Sequence, residues 1–268
     1  GDTTAPTISD VTTSWGSVLN SIEDNSDGTV TIATSGAEDG QTVTVVLNSK
    51  SYTGTVSSTT TPTPVSAADL QALSESSTYT LSADVSDAAG NAATQHSSTT
   101  FSGDKTAPTA VLSSVADDVG SVVGNLSSGQ TTDDTAVVIT GTNEAGSTVD
   151  VYSGTTKLGA ATVNGTNWTY EATLSDGTSY ALNAIETDAA GNPSSATSNL
   201  TVIGDTTAPT ISGVTASWGS VLNSIEDNSN GTVTIATSGA EDGQTVTLVL
   251  NSKSYTGTVS SNTTSITV

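Results

Sequence analysis

The chain has 268 residues, of which 27 are acidic and only four are basic, and its formal net charge is −23 at pH 7. With no basic surface it is excluded as a nucleic-acid binder, and an anionic membrane would repel it. It contains no cysteine, which excludes disulfide bonds, and it has no apolar run long enough to cross a bilayer.

The first predicted strands lie at 29–33 and 42–47, where apolar and polar residues alternate. This period of two is typical of strands that are buried on one face. The stretch Ser66-Ala67-Ala68-Asp69 resembles a capping box, with Ser66 as the N-cap and Asp69 reaching back to it. It predicts one short helical turn that carries Leu70 and Leu73.

Tyr79 and Tyr180 each begin the sixth strand of a repeating unit. A tyrosine at this position closes the corner between the fifth and sixth strands with its hydroxyl. Residues two and four positions later share the tyrosine's face and are predicted to point inward. The three tryptophans, one in each unit, are interpreted as core residues, because a sugar-stacking platform needs neighbouring aromatic side chains. They are Trp15, Trp168 and Trp218.

The middle of the chain predicts seven strands, separated by Gly, Asn, Asp and Ser. They lie near 109–115, 135–141, 147–153, 156–163, 166–174, 178–187 and 194–203. Seven short strands in about one hundred residues indicate an immunoglobulin-like sandwich. The predicted fold class is therefore all-β, with tandem antiparallel sandwiches arranged as a linear rod.

An internal repeat sets the organisation of the chain. The linker sequence Gly-Asp-x-Thr-Ala-Pro-Thr begins at Gly1, Gly103 and Gly204, and residues 205–264 nearly copy residues 2–61. We predict a first repeat at 1–103, a second at 104–204 and a truncated third at 205–268. The third is expected to expose an apolar face and an unpaired strand edge, and to be poorly ordered or completed by another chain.

Acidic residues recur in the linkers and in the loops that this topology places at the junctions between repeats. Carboxylates at this density repel one another, and Ca²⁺ with oxygen ligands removes that repulsion. The alternative is that the acidity serves only solubility. The predicted calcium ligands are Asp104, Glu144, Glu186 and Asp188 with Asp24 and Asp27 at the first junction, Asp205 and Glu241 with Asp133 and Asp134 at the second, and Asp2, Glu38 and Asp87 at the N-terminal end.

The motifs resemble a known family. The linkers, the Asp-Ala-Ala-Gly-Asn loops at 87–91 and 188–192, and the segments 117–120 and 132–135 are similar to the bacterial immunoglobulin-like repeats of giant RTX-type adhesins, which include biofilm and ice-binding adhesins. The resemblance implies an extender region, type I secretion, display on the bacterial surface and Ca²⁺ at the linkers. It also implies that neighbouring repeats are the chain's partners and that other domains bind the adhesive ligand.

Two other functions compete with a spacer. An enzyme is not expected, because His96 is the only histidine and no nucleophile elbow or phosphate loop is present. An adhesive module that binds a glycan or a like repeat would need a surface that differs between copies. The near identity of the first and third repeats favours a spacer instead.

Overall fold

The computed structural model describes residues 1–120 and 123–268, with the backbone alone at positions 97 and 98. Its strands form immunoglobulin-like β-sandwiches, so the predicted fold class is confirmed. Each hydrophobic cluster draws its residues from a single repeat. No helix in the described part of the chain is long and apolar enough to span a bilayer.

The first repeat consists of two sheets and one helical turn. One sheet has the order β1-β3-β6 and the other β2-β8-β7-β4-β5, in which the β2–β8 pair is parallel. The elements are β1 Thr7–Thr13, β2 Val18–Leu19, a 3-10 turn Glu23–Asn25, β3 Gly28–Ser35, β4 Thr42–Leu47, β5 Lys50–Thr55, β6 Thr60–Val65, α1 Ala67–Gln71, β7 Thr78–Val85 and β8 His96–Gly103.

The core of the first repeat closes around Trp15, which is 4% exposed and packs edge-on against Phe101 at 5.3 Å. Leu70 and Leu73 of the predicted helical turn are buried in the same cluster. Ser66 is the N-cap, and its hydroxyl accepts a hydrogen bond from the Asp69 amide. The carboxylate of Asp69 binds the Ser66 hydroxyl and Lys50. The expected helical turn is therefore confirmed.

The second repeat has two five-stranded sheets, with the orders β10-β9-β12-β16-β15 and β11-β18-β17-β13-β14. The β11–β18 pair is parallel. The strands are β9 Val111–Asp117, β10 Gly124–Asn125, β11 Gln130–Thr132, β12 Ala136–Thr142, β13 Thr148–Ser153, β14 Thr156–Ala160, β15 Thr162–Asn164, β16 Asn167–Thr173, β17 Ser179–Thr187 and β18 Leu200–Gly204.

Trp168 fills the centre of this second core and is 1% exposed. Its ring lies against Gly141 of β12, where an added Cβ would collide with the ring and with the Val111 carbonyl. A glycine is required there by close approach rather than by its backbone angles. The core interpretation of Trp15 and Trp168 is thus confirmed.

The predicted strand pattern of the second repeat needs three corrections, the first of which is that the short strands β10 and β11 were not predicted. The fourth predicted strand, 156–163, divides into β14, which pairs with β13, and β15, which pairs with β16 in the other sheet. The last strand begins at Leu200 instead of 194. Before it, the Ser194 and Thr197 amides still donate to the Glu186 and Ala184 carbonyls, but their hydroxyls, in place of their own backbone carbonyls, accept the Glu186 and Ala184 amides.

The third repeat contains a three-stranded sheet, β19-β20-β23, and the hairpin β21-β22. Several apolar side chains that are buried in the first repeat have exposed counterparts here. Leu19 is 0% exposed and Leu222 53%, and Val11 is 2% exposed and Val214 57%. These apolar side chains are therefore exposed among the described residues of the third repeat. The elements are β19 Thr210–Ala216, a 3-10 turn Glu226–Asn228, β20 Thr232–Ser238, β21 Thr245–Leu250, β22 Lys253–Thr258 and β23 Thr263–Thr267.

Candidate functional site

The linker between the first two repeats is hydrogen-bonded directly to the first repeat. The Asp104 amide donates to the Leu19 carbonyl at 3.0 Å, and the Lys105 amide donates to the Glu75 carboxylate at 2.9 Å. Pro108, a few residues later, is buried. The linker backbone is therefore held in place before any side chain reaches across the junction.

The Lys105 side chain fixes the linker more strongly. Its ammonium forms an ion pair with Asp24 at 3.0 Å and donates to the carbonyls of Leu70, Gln71 and Leu73 at the end of helix α1. The Lys105 and Asp24 side chains are only 16% and 9% exposed. A cation at a helix C-terminus also interacts favourably with the unpaired carbonyls there.

The Asp-Ala-Ala-Gly-Asn loop of the second repeat contacts the first repeat. The Asn192 amide oxygen accepts the Ser21 amide at 2.8 Å, while its nitrogen donates to the Asp104 carbonyl at 3.0 Å and to Asp188. The Asn20 side chain donates to the Ala190 carbonyl at 2.9 Å. Asn192 is fully buried. These bonds join a loop, a linker and the preceding repeat.

A polar cleft opens beside this contact, and four carboxylates line it. They come from Glu75 of the first repeat, Asp104 of the linker, and Glu144 and Asp188 of the second repeat. Burial raises the pKa of Asp104 above its usual value, and the negative charges of Asp188 and Glu75 raise it further. The cleft therefore disfavours the ionised carboxylate as long as no cation balances it.

Glu186 lies next to the cleft near the end of β17 and is 0% exposed. One carboxylate oxygen, Oε1, accepts the Glu144 amide and the Ser147 hydroxyl. The other, Oε2, is buried without a hydrogen-bond partner. A buried carboxylate oxygen left unpaired is costly, and a bound cation would satisfy it.

A groove at the second junction brings together acids from both sides of the linker. It is lined by Asp117 and Asp133 of the second repeat, by Asp205 of the linker and by Glu241 of the third repeat. Asp134 lies next to it, with its Oδ2 buried and unpartnered. The second linker is also hydrogen-bonded to the second repeat. The Asp205 amide donates to the Thr132 carbonyl. The Asp176 carboxylate accepts the Thr206 amide and the Thr207 hydroxyl.

The N-terminal end of the first repeat gathers the third predicted set of acids. Asn91 donates to the Asp2 carbonyl and to the Asp87 carboxylate, and Glu38 accepts the Ala88 amide. The structure thus brings Asp2, Glu38 and Asp87 to one end of the sandwich. The carboxylates of Asp24 and Asp27 are already engaged, by Lys105 and by the Ala67 amide respectively.

The donor set at the first junction fits Ca²⁺, which takes carboxylate and carbonyl oxygens in irregular geometry. A positive charge in the cleft would pair the buried Oε2 of Glu186 and offset the crowding that raises the pKa of Asp104. Among the described residues, however, no three His, Asp or Glu side chains are already arranged as a metal site. The Glu75, Glu144 and Asp188 side chains would have to converge on Asp104 around an ion.

The direct contacts at the first junction were missed from the sequence. Lys105 is the one signal that was available, because it replaces the threonine found at the same linker position in the other copies, Thr3 and Thr206. Asn20 and Ser21 carry no such signal, since nothing in the sequence shows that their corner meets the loop of the next repeat.

The chain is similar to several known proteins. Residues 106–206 match the family model described as a bacterial Ig-like domain. The chain is also 39% identical over 127 residues to Exoglucanase B of Cellulomonas fimi, a match that covers 46% of this chain and 10% of that enzyme. The chain thus spans about a tenth of that relative's length.

Two solved bacterial adhesins are also similar. One is a Ca²⁺-stabilised adhesin with which an Antarctic bacterium binds ice, at 26% identity and a TM-score of 0.44, covering 97% of this chain and 65% of the other. The second is a 1.5-MDa bacterial ice-binding adhesin, at 22% identity and a TM-score of 0.39, covering 94% of this chain and 82% of the other. With its sandwich topology and its family match, the second repeat of this chain is a bacterial Ig-like domain.

Proposed function

We propose that the chain is a structural extender in a bacterial cell-surface adhesin, in which it projects a distal adhesive domain away from the cell. The observation that carries this proposal is the junction between the first two repeats. Its linker is hydrogen-bonded to both neighbours, through Leu19 and Glu75 on one side and Asn192 on the other. A spacer needs such a joint, because flexible linkers would let the repeats fold back on one another.

The repeats themselves support a passive role. The buried positions of Trp15 and Trp168 remove both from any glycan-stacking surface. The first and third repeats share nearly the same sequence over 2–61 and 205–264, which is expected when copies add length and not a specialised site. The adhesive ligand is therefore assigned to other domains of the full protein, and secretion to the cell surface follows from the same role.

Calcium is the proposed cofactor of the junctions. At the first junction Asp104, Glu144, Asp188 and Glu75 would hold the ion, with Glu186 beside them; at the second, Asp205, Glu241, Asp133 and Asp134; and at the N-terminal end, Asp2, Glu38 and Asp87. When bound, the ion supplies positive charge where carboxylates from two repeats meet. Extracellular modules bind Ca²⁺ with dissociation constants of about 10⁻⁴ to 10⁻³ M, which suits a protein outside the cell.

The similarity to an exoglucanase does not carry an enzymatic function to this chain. The matched stretch is 10% of that enzyme's length. The residues that line the two junction clefts are carboxylates, small polar residues and a few apolar side chains, with no histidine among them. We therefore propose no catalytic role.

Calorimetry with calcium tests the proposal. Wild-type protein in excess CaCl₂ is expected to bind the ion and to melt at a higher temperature than in chelator, because binding at one hundred times the dissociation constant stabilises by about 2.7 kcal/mol per site. Asp104→Asn removes a ligand and is expected to lose most of the gain at the first junction. The control is Asp84→Asn, which removes an exposed charge near the end of β7. Equal melting with and without calcium would reject the calcium sites.

A further inference from the structure

We propose that neighbouring repeats are joined by a preformed docking pair that orients them without a bound cation. One half is the corner at Asn20–Ser21, which precedes the 3-10 turn of one repeat. The other half is the Asp188–Asn192 loop of the next repeat. The partner that this surface fits is therefore a repeat with an Asp-Ala-Ala-Gly-Asn loop. The use of the pair as a spacer joint rests on the proposed function, but its contacts do not depend on it.

Two amide side chains make the contact reciprocal. Asn192 accepts the Ser21 amide at 2.8 Å, and Asn20 donates to the Ala190 carbonyl at 2.9 Å. The nitrogen of Asn192 also binds the linker carbonyl of Asp104 at 3.0 Å. Asn192 is 0% exposed, so water does not compete for its hydrogen bonds. Bonds that run in both directions fix rotation about the linker as well as distance.

The loop half has the same internal structure whether or not it is docked. In the second repeat the Asn192 amide donates to Asp188 Oδ1 at 2.8 Å, and its side chain donates to Asp188 Oδ2 at 2.8 Å. In the first repeat the corresponding bonds from Asn91 to Asp87 are both 2.7 Å. Yet the first-repeat loop makes no hydrogen bond to another repeat in the described chain. The loop is therefore built before it meets a partner.

The corner half is preformed in the same way. Asn20 Oδ1 accepts the Ile22 amide at 2.9 Å, and the Asn20 amide donates to Glu23 at 3.1 Å. In the third repeat Asn223 makes the same two bonds, to Ile225 and Glu226, each at 3.0 Å. No other repeat is hydrogen-bonded to the Asn223 corner within the described residues. Two fixed surfaces therefore meet, and little conformational entropy is lost on docking.

Lys105 supplies a positive charge on the first-repeat side of the joint, so that the contact there does not require a bound cation. Its ammonium already balances Asp24 and caps helix α1, which packs beside the 3-10 turn that follows Asn20. Calcium in the neighbouring cleft then adds stability to a joint whose orientation is already set. The prediction is a narrow distribution of inter-repeat distances in chelator as well as in calcium.

The test measures the distance between the first two repeats in the full chain. Because the chain has no cysteine, Thr53→Cys and Thr156→Cys place one spin label on an exposed strand position in each repeat. Pulsed electron-spin measurements in chelator are expected to give one narrow distance for the otherwise wild-type chain. Asn192→Ala and, separately, Asn20→Asp are expected to lose that single distance and give a broad distribution.

Matched controls separate docking from local folding. Asn91→Ala removes the same bonds within its loop as Asn192→Ala, and Asn223→Asp repeats the Asn20→Asp change at a corner to which no other repeat is hydrogen-bonded in the described chain. Both controls are expected to keep the narrow distance. A broad distribution for the otherwise wild-type chain in chelator, or an unchanged one in both docking variants, would overturn the docking pair. Calcium binding by the same proteins reports separately on the proposed calcium sites, so the failure of those sites and the failure of the docking pair give different results.

Discussion

Lys105 and Asp24 form an ion pair at 3.0 Å that spans from the linker to the 3-10 turn of the first repeat, and both side chains are largely buried. Replacing the lysine with methionine leaves the Asp24 carboxylate buried without a partner. We expect Lys105→Met to destabilise the first repeat by about 3–5 kcal/mol, since removing one partner of a buried ion pair leaves the other charge unpaired. Hydrogen exchange of the full chain, resolved by repeat, measures the loss in the first repeat. The double variant Lys105→Met, Asp24→Leu is expected to recover most of it; no recovery would show that the capping of helix α1 dominates.

Removing a tyrosine-corner hydroxyl is expected to lower the free energy of unfolding by less than Lys105→Met does. The Tyr79 hydroxyl accepts the Ser74 amide at 2.6 Å, and Tyr180 accepts the Ser175 amide at 3.0 Å. Tyr79→Phe leaves the Ser74 amide without its acceptor and is expected to cost about 1 kcal/mol in the free energy of unfolding. Ser74→Ala, which keeps the donating amide, is the control and should unfold like wild type. Equal stability of Tyr79→Phe and wild type would mean that water replaces the hydroxyl.

A variant of Glu186 distinguishes two effects of this carboxylate: the cost of burying its charge, and its contribution as a calcium ligand. Glu186→Gln keeps a side-chain oxygen that accepts the Glu144 amide and the Ser147 hydroxyl. It removes the negative charge of a carboxylate whose second oxygen, Oε2, has no hydrogen-bond partner. In chelator we expect the variant to be more stable than wild type by about 1 kcal/mol. In calcium we expect wild type to be the more stable, because the variant offers a weaker ligand. The same ranking of the two proteins in both buffers would remove Glu186 from the site.

The second linker predicts a pH dependence. Hydrogen bonds from the Thr207 hydroxyl and the Thr206 amide lower the pKa of Asp176 below its usual value. A lowered pKa means that the folded state prefers the carboxylate, so its stabilisation is present above the unfolded pKa of about 3.9 and is lost as the pH falls through the folded pKa. Asp176→Ala should therefore differ from wild type in chemical unfolding at pH 6, and the difference should shrink progressively on acidification below pH 4. A difference that does not change with pH would contradict this origin.

The near-identical first and third repeats offer a direct comparison of burial. Leu19→Ala removes a side chain that is 0% exposed and should cost about 2–5 kcal/mol. Leu222→Ala removes its counterpart, which is 53% exposed, and should cost much less. Hydrogen exchange resolved by repeat measures both changes in the same full chain. Equal costs would indicate that Leu222 is covered in solution, which would also answer whether another chain completes the third repeat.

Much of the fold followed from local pattern. The alternation around Leu81 and Leu182 correctly placed both side chains in the core, and Ser66 began the helical turn as expected. These features depend on neighbours within a few residues. The short parallel strand β11 and the late start of β18 were not predicted, because they arise from pairing with distant segments and from hydroxyls that substitute for backbone acceptors.

The candidate site was predictable in location but not in detail. Sandwich topology alone brings Asp104, Glu144 and Asp188 to one cleft, as the sequence predicted. The calcium ligand set itself stays a prediction. The pairing of Asp24 with Lys105 and the contact of Asn192 with Ser21 depend on how two folded repeats face each other. That relation is set by tertiary contacts, which period and spacing do not encode.

The parallel edge pairs have a mechanical consequence. In each of the first two repeats a short strand near the beginning runs parallel to the last strand, β2 with β8 and β11 with β18. Tension between the two ends of a repeat pulls such strands along their length in opposite directions. The bonds of a parallel pair are then loaded together in shear instead of being opened one after another. Because β11–β18 pairs three residues and β2–β8 two, the second repeat should resist the larger force before it yields.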